Sequence, residues 1–187
     1  PLERQPNRTN VAGGPADGAT PQATMLVGRD GLLYGTTAYC GVDEAGTVFR
    51  LKPDGSGYTV LHHFTGNADG GYPSSPLIQG SDGLLYGTAQ GGGTSYNGTV
   101  FRLGTNGAGF TRLHDFGNPP DGAAPLAGLL QGQDGFLYGV TSQGGTAGFG
   151  TVFKLSTNGG ALTVLRSFAG SGDVSYPQAS VVQTPDG

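Results

Sequence analysis

Apolar residues along this chain fall in short runs, each closed by glycine, proline or an Asp-Gly or Asn-Gly pair, and the runs recur every 52 residues. Asp30, Gly31, Leu32, Leu33, Tyr34 and Gly35 return at 82–87 and again, with Phe136 for one leucine, at 134–139. A fourth start stands at Asp186 and Gly187. Helix is excluded by length, because the longest stretch without Gly or Pro, 161–169, is nine residues and isolated helices that short are not stable. The second unit predicts four strands, A at 76–79, B at 84–88, C at 99–103 and D at 110–116, in residue types that favour β structure. Asp-Gly between A and B, and Asp-Gly or Asn-Gly between C and D, are tight-hairpin signals. Antiparallel strands alternate in direction, so these short turns share one edge, and the longer B–C and D–A loops share the other.

Four antiparallel strands per repeat, apolar on both faces at Leu32, Leu33 and Tyr34, describe a sheet sandwiched between neighbours. The expected fold is all-β, a β-propeller-like array of four-stranded antiparallel blades with about three blades plus partial units. An open β-solenoid is the alternative. Residues 1–10 stand outside the repeat and read as a tail or linker. Residues 11–187 form the tandem-repeat domain, with units starting near 30, 82 and 134 and partial units at both ends. Propellers generally use four or more blades, so the expectation is a fragment or a protomer completed by other blades, with 179–183 as an unpaired edge strand.

Composition alters this picture little. The 38 glycines and 12 prolines among 187 residues would suggest low complexity without a period; here they punctuate strands. A net charge of -4 with 12% charged residues leaves no basic stripe, which argues against nucleic acid as a partner. No apolar run is long enough to insert in a membrane as a helix, and no signal-peptide core is present. The single cysteine, Cys40, excludes an internal disulfide and a multi-cysteine metal site. Asn7-Arg8-Thr9 and Asn97-Gly98-Thr99 would accept glycans only in a secretory pathway.

Leu33-Tyr34-Gly35-Thr36-Thr37 followed by Gly46-Thr47-Val48-Phe49-Arg50-Leu51, with counterparts at 85–88 and 98–103 and at 137–139 and 150–155, resembles the GloVer (Gloeobacter and Verrucomicrobia) tandem repeat over about 11–187. That resemblance implies a propeller-like fold and an exported bacterial protein, extracellular or at the cell surface, often attached by a separate C-terminal anchor. It carries over no catalytic residue.

Residues that recur in every unit are explained first by architecture. Tyr34, Tyr86 and Tyr138 read as blade packing, and Arg50, Arg102 and Lys154 as stems covering apolar surface with heads paired locally. Asp17, Asp69, Asp121 and Asp173 lie in the D–A loops, where oxygen ligands could hold calcium. Their Asp-Gly context is that of turns, and no D-x-D-x-D spacing is present, so no cofactor is expected and calcium is the alternative. His62, His63 and His114 all fall in strand D. Equivalent positions sit in different sheets and cannot converge on zinc, so they read as packing or hydrogen-bonding residues. There is no G-x-S-x-G elbow, Cys40 has no diagnostic histidine partner, and Gly91-Gly92-Gly93 lacks the following Lys-Ser/Thr of a phosphate loop.

The variation is concentrated in the long loops. Tyr39, Asp43, Glu44, Tyr96, Asn97 and Phe149 from B–C loops, with Tyr72 and Tyr176 from D–A loops, place rings and a few polar groups on one edge, as a glycan or peptide ligand needs. The expected function is a non-enzymatic, exported or cell-surface binding or scaffolding module. Two alternatives remain: a carbohydrate-active hydrolase or lyase completed by further blades, and a filament-forming repeat protein that self-associates head to tail. Asp43 and Glu44 are adjacent on one loop, a poor placement for carboxylates that must flank a glycosidic bond.

Overall fold

The computed structural model describes residues 15–117, 120–170, 172–173 and 175–184. Among these, twelve strands build three four-stranded antiparallel sheets in chain order. Blade 1 is β1 (Leu26–Val27), β2 (Leu33–Thr37), β3 (Thr47–Leu51) and β4 (Thr59–His63). Blade 2 is β5 (Ile78–Gln79), β6 (Leu85–Ala89), β7 (Thr99–Leu103) and β8 (Thr111–Asp115). Blade 3 is β9 (Leu130–Gln131), β10 (Leu137–Thr141), β11 (Thr151–Leu155) and β12 (Thr163–Ser167). The helical content described is one 3₁₀ turn, Pro15–Asp17, and no described helix is long and apolar enough to cross a membrane. The tail at 1–10 and the start at Asp186 lie outside the described residues.

Some boundaries differ from expectation. Strand A is two residues rather than four in every blade, whether Thr24, Pro76 or Gly128 stands at the first expected position. Strand D stops short of Phe110 and Phe116, whose rings turn into the core. Residues 179–183, read as a fourth strand A, form no ladder among the described residues.

The three blades share one register. Gly35, Gly87 and Gly139 of strand B stand opposite Phe49, Phe101 and Phe153 of strand C. A Cβ on Gly87 would lie 2.6 Å from Phe101 Cζ, so the glycine is the slot over which the ring lies. The C–D register slips at Val48/Phe49, Val100/Phe101 and Val152/Phe153, leaving Leu61, Leu113 and Leu165 as bulged extra residues. The Leu61 carbonyl is pressed against the next blade, 2.7 Å from where a Gly107 Cβ would stand.

The apolar core lies between blades. Tyr34, Val48 and Phe64 of blade 1 cluster with Leu77, Leu85, Phe101 and Leu103 of blade 2. Tyr86, Val100 and Phe116 then cluster with Leu129, Leu137, Phe153 and Leu155 of blade 3. Polar ties cross the same interfaces. The Gln79, Gln131 and Gln183 side-chain carbonyls accept from the N–H of Arg29 (2.9 Å), Ser81 (2.7 Å) and Gln133 (3.2 Å) in the preceding unit. Arg50 and Arg102 lie beside Tyr34 and Tyr86 of their own blades and also reach across: each donates to a carbonyl in the next C–D turn, Thr105 at 3.0 Å and Thr157 at 2.9 Å. Lys154 alone stays home, 2.7 Å from Asp134 Oδ2.

Buried Tyr34 and Tyr86 also carry a bond that the repeat spells out. Their hydroxyls donate to Asp30 and Asp82 at 2.6 Å, while the other carboxylate oxygen accepts the N–H of Leu32 or Leu84. One Asp thus closes the A–B turn and satisfies a buried phenol, whose ionisation burial and that carboxylate push up to about 12 at Tyr86.

Candidate functional site

The B–C and D–A loops form one edge, as strand alternation requires. Bridges join Ala19 to Tyr39, Gly71 to Gly91 and Ala123 to Gln143. The N–H of Tyr72, Ala124 and Tyr176 donates to the carbonyl of Ala45 (2.7 Å), Asn97 (2.8 Å) and Phe149 (3.0 Å). The D–A loops at 71–72 and 123–124 are therefore each laid between the B–C loop of the following blade, which they bridge, and that of the preceding blade, which they hydrogen-bond.

The candidate ligand residues separate into groups. Tyr39 packs on Tyr72 with ring centroids 5.6 Å apart, and Phe149 on Tyr176 at 5.5 Å. Tyr96 is 71% exposed and meets no other ring among the described residues. Asp43 and Glu44 are exposed on the same loop as Tyr39. Asn97 is half-buried, and its amide donates to the Gly117 carbonyl; with Thr99 buried in β7, the Asn97-Gly98-Thr99 triplet is engaged in the fold. Cys40 is half-exposed at a positive φ of 62°.

The backbone singles out three of these rings. Tyr72 (φ 59°), Tyr96 (φ 56°) and Tyr176 (φ 53°) hold left-handed conformations, which are unfavourable for residues with a Cβ. Every other described non-glycine residue with positive φ, namely Thr20, Cys40, Glu44 and Ala124, also lies on this edge.

The four loop aspartates do not converge. Among the described residues, no three His, Cys, Asp or Glu side chains gather as metal ligands do. Asp69 accepts from His62 Nε2 (3.2 Å) and from the N–H and hydroxyl of Thr65. Asp121 accepts from His114 Nε2 (3.1 Å) and the Gly117 N–H, and Asp173 from Arg166 (2.8 Å) and the Ala169 N–H. A cation at these loops would have to displace those bonds. The pairing of a basic residue in strand D with an Asp seven positions on escaped the sequence reading, although its signal, His62–Asp69, His114–Asp121 and Arg166–Asp173, repeats at 52 residues. A second tie was missed too: His63, Asp115 and Ser167, at one repeat position, accept the N–H of Val42, Thr94 and Thr146 and so hold each B–C loop down.

Blade 2 lacks one part of this device. Gly117 replaces Thr65, so Asp121 Oδ1 is buried without a hydrogen-bond partner among the described residues. A Cβ on Gly117 would meet nothing within 4 Å, and its φ is not positive. Gly117→Thr should therefore raise stability by about 1–2 kcal/mol, from a new bond and a less flexible unfolded chain. An unchanged or lower urea midpoint would refute the assignment.

His62 is stacked on Phe110 at 3.7 Å. Burial lowers its basicity despite the raising pull of Asp69. Because the folded value lies below the unfolded one, stability is full above about pH 6.5 and declines as pH falls through that value toward the folded one. Melting temperatures from pH 7.5 to 5 should fall less steeply in His62→Gln than in the parent.

A ladder of twisted four-stranded blades with cores between them, short turns on one edge and interlocked loops on the other is the architecture of a β-propeller-like array. The Gloeobacter/Verrucomicrobia repeat matches residues 7–187, and the chain belongs to that family. Among solved structures, a chain of the nidogen/laminin complex superposes with a TM-score of 0.56 at 14% identity, covering 84% of this chain and 49% of its own. A putative TolB from Agrobacterium tumefaciens superposes at 0.51 with 15% identity, covering 82% and 51%. The chain thus spans about half the length of these relatives, and at such identities the likeness is one of fold. No protein of curated function matches it.

Proposed function

We propose that this chain is a non-enzymatic binding module that works outside the cell or at its surface, with its ligand on the edge formed by the B–C and D–A loops. One observation carries the reading: Tyr72, Tyr96 and Tyr176 are held at positive φ while 36%, 71% and 51% of their surface is exposed. Such conformations cost on the order of 1 kcal/mol each and cluster at functional sites. The rings are not required by the fold, since the same repeat positions hold Thr20 and Ala124 in one case and Gly148 in the other. The left-handed backbone recurs at these positions whatever the residue, at Thr20, Glu44 and Ala124 as well, so it belongs to the loops, and the reading is supported by the exposed rings that those loops carry without needing them. The Tyr39–Tyr72 pair, whose B–C loop also carries the exposed Asp43 and Glu44, and the Phe149–Tyr176 pair suit a glycan or a peptide, both of which offer apolar faces edged by donors. The exported setting rests on the family.

Replacing Tyr72, Tyr96 and Tyr176 with Gly removes the rings and relieves the backbone together. The triple variant should melt no lower than the parent and lose at least about tenfold in affinity for whichever glycan or peptide the parent retains on an array, since exposed aromatics dominate binding energy. Retained binding in a folded triple variant would reject this edge.

A further inference from the structure

The Tyr39 and Tyr72 rings open toward solvent beside two carboxylates that the fold does not use. The rings lie at 59° to each other, with 44% of Tyr39 and 36% of Tyr72 exposed. The Gly46 N–H donates to the Cys40 carbonyl at 2.8 Å, closing residues 40–46 into a tight loop directly after Tyr39. The Ala45 carbonyl takes the Tyr72 N–H at 2.7 Å, so the Tyr72 backbone is fixed one residue along from Glu44. The Tyr72 ring also rests on Gly91 of the following blade, where a Cβ would stand 3.0 Å from its Cδ2. Both rings are thus held in place before any ligand arrives.

Asp43 and Glu44, in that same loop, are exposed and have no hydrogen bond or ion pair among the described residues. Blade 2 has Ser95 and Tyr96 at these repeat positions, and blade 3 has Ala147 and Gly148. The charge is therefore a property of this corner and not of the repeat. Nothing nearby neutralises it. B–C loops 38–46, 90–98 and 142–150 and D–A loops 11–25, 64–77, 116–129 and 168–181 contain no lysine, arginine or histidine. The strand residues Arg112 and Arg166, which reach this edge, are taken by Asp115 at 3.2 Å and Asp173 at 2.8 Å. The other described lysines and arginines, at 29, 50, 52, 102 and 154, stand in the A–B and C–D turns of the opposite edge or in the strand residues next to them.

From this we infer, resting on the binding edge proposed above, that the Tyr39–Tyr72 corner receives an arginine or lysine side chain of a basic peptide, its stem and charged head against the rings and its charge toward Asp43 and Glu44. Aromatic faces attract cations through their negative quadrupole. A guanidinium both stacks on a ring and pairs with a carboxylate, whereas a neutral sugar leaves the two charges unmatched. An edge with acidic loops and no basic one draws cations in and turns anionic ligands away.

The test titrates the full chain by calorimetry with an octapeptide of alternating arginine and glycine, with its glutamate-for-arginine counterpart, and with neutral N-acetylchitohexaose. The arginine peptide should bind and the glutamate peptide should not. Raising salt from about 20 to about 300 mM should weaken the arginine peptide at least about fivefold. Asp43→Asn with Glu44→Gln should weaken it about tenfold at an unchanged melting temperature, since neither carboxylate makes a bond in the fold. Asp54→Asn removes an exposed charge at the opposite edge and should leave affinity within about twofold, which separates a site from the general pull of a net charge of -4. No binding of the arginine peptide, equal binding of the glutamate peptide, or equal losses from Asp54→Asn and Glu44→Gln would overturn the inference. Tighter binding of the sugar, lost in Tyr72→Gly and untouched by Asp43→Asn with Glu44→Gln, would overturn the basic peptide and leave the loop edge standing. Arginine-peptide binding that survives all of these changes at the corner would reject the edge as well.

Discussion

Gly98→Ala is expected to destabilise the protein by about 3–5 kcal/mol, the sum of a forbidden backbone conformation and an overpacked loop. Gly98 has a φ of 97°, and a Cβ there would stand 2.5 Å from the Ala89 carbonyl oxygen and 2.6 Å from Pro125 Cδ. Neither neighbour can yield. The Gly98 N–H donates to Gly92 (3.0 Å), its carbonyl accepts from Phe116 (3.0 Å), and Pro125 is fixed by its ring. Gly46 and Gly150 face the same pair of obstacles, so this is the joint at which every B–C loop enters strand C beneath the next D–A loop. Gly109→Ala supplies the contrast. Its φ is also positive, at 68°, but a Cβ would meet nothing within 4 Å, and the expected loss is about 1 kcal/mol. Equal losses in urea denaturation would show that the crowding at Gly98 relaxes.

Phe101→Ala should cost about 3–5 kcal/mol, the range for deleting a buried aromatic ring. The Phe101 side chain has no exposed surface, lies 5.1 Å from the Phe64 ring and 5.7 Å from Phe110, and fills the slot left by Gly87. It belongs to a cluster fed by two blades, so the cavity would loosen the interface between them. Phe49→Ala, at the same position in blade 1, should cost roughly half as much, because Phe49 belongs to neither inter-blade cluster and has Tyr58 as its ring contact. Near-equal losses would mean that the strand B slot, rather than the inter-blade cluster, sets the energy.

Much of the frame was legible in the residues, for definite reasons. Asp-Gly and Asn-Gly pairs mark turns because positive φ is a local demand met by a local residue. Strands B and C were legible because their apolar residues recur at fixed distances, and a buried register tolerates no slip. The length of strand A was not legible. Ladder formation depends on pairing with strand B as well as on propensity, and Thr24, Pro76 and Gly128 all lie outside the ladder. The C–D bulge was also hidden, since an apolar residue such as Leu61 reads as one more strand position and only pairing shows that it is surplus.

The loop edge shows the same division more sharply. Tyr39, Tyr72, Phe149 and Tyr176 were placed on one edge by strand alternation, but their assortment into two ring pairs depends on D–A loops crossing B–C loops, a contact between residues about 30 positions apart. Arg50 and Arg102 carried no sign of their real acceptors, which lie in the next unit.

By itself, then, the sequence determined the repeat, the strand order, the turn edge and the residues free to vary, because each follows from local conformational preference and a period of 52 residues. The tertiary structure alone decided which blade each tyrosine and arginine serves, which loop rings pair, and which tyrosines stand at positive φ. Those properties depend on distances between units, and a one-dimensional period does not contain them.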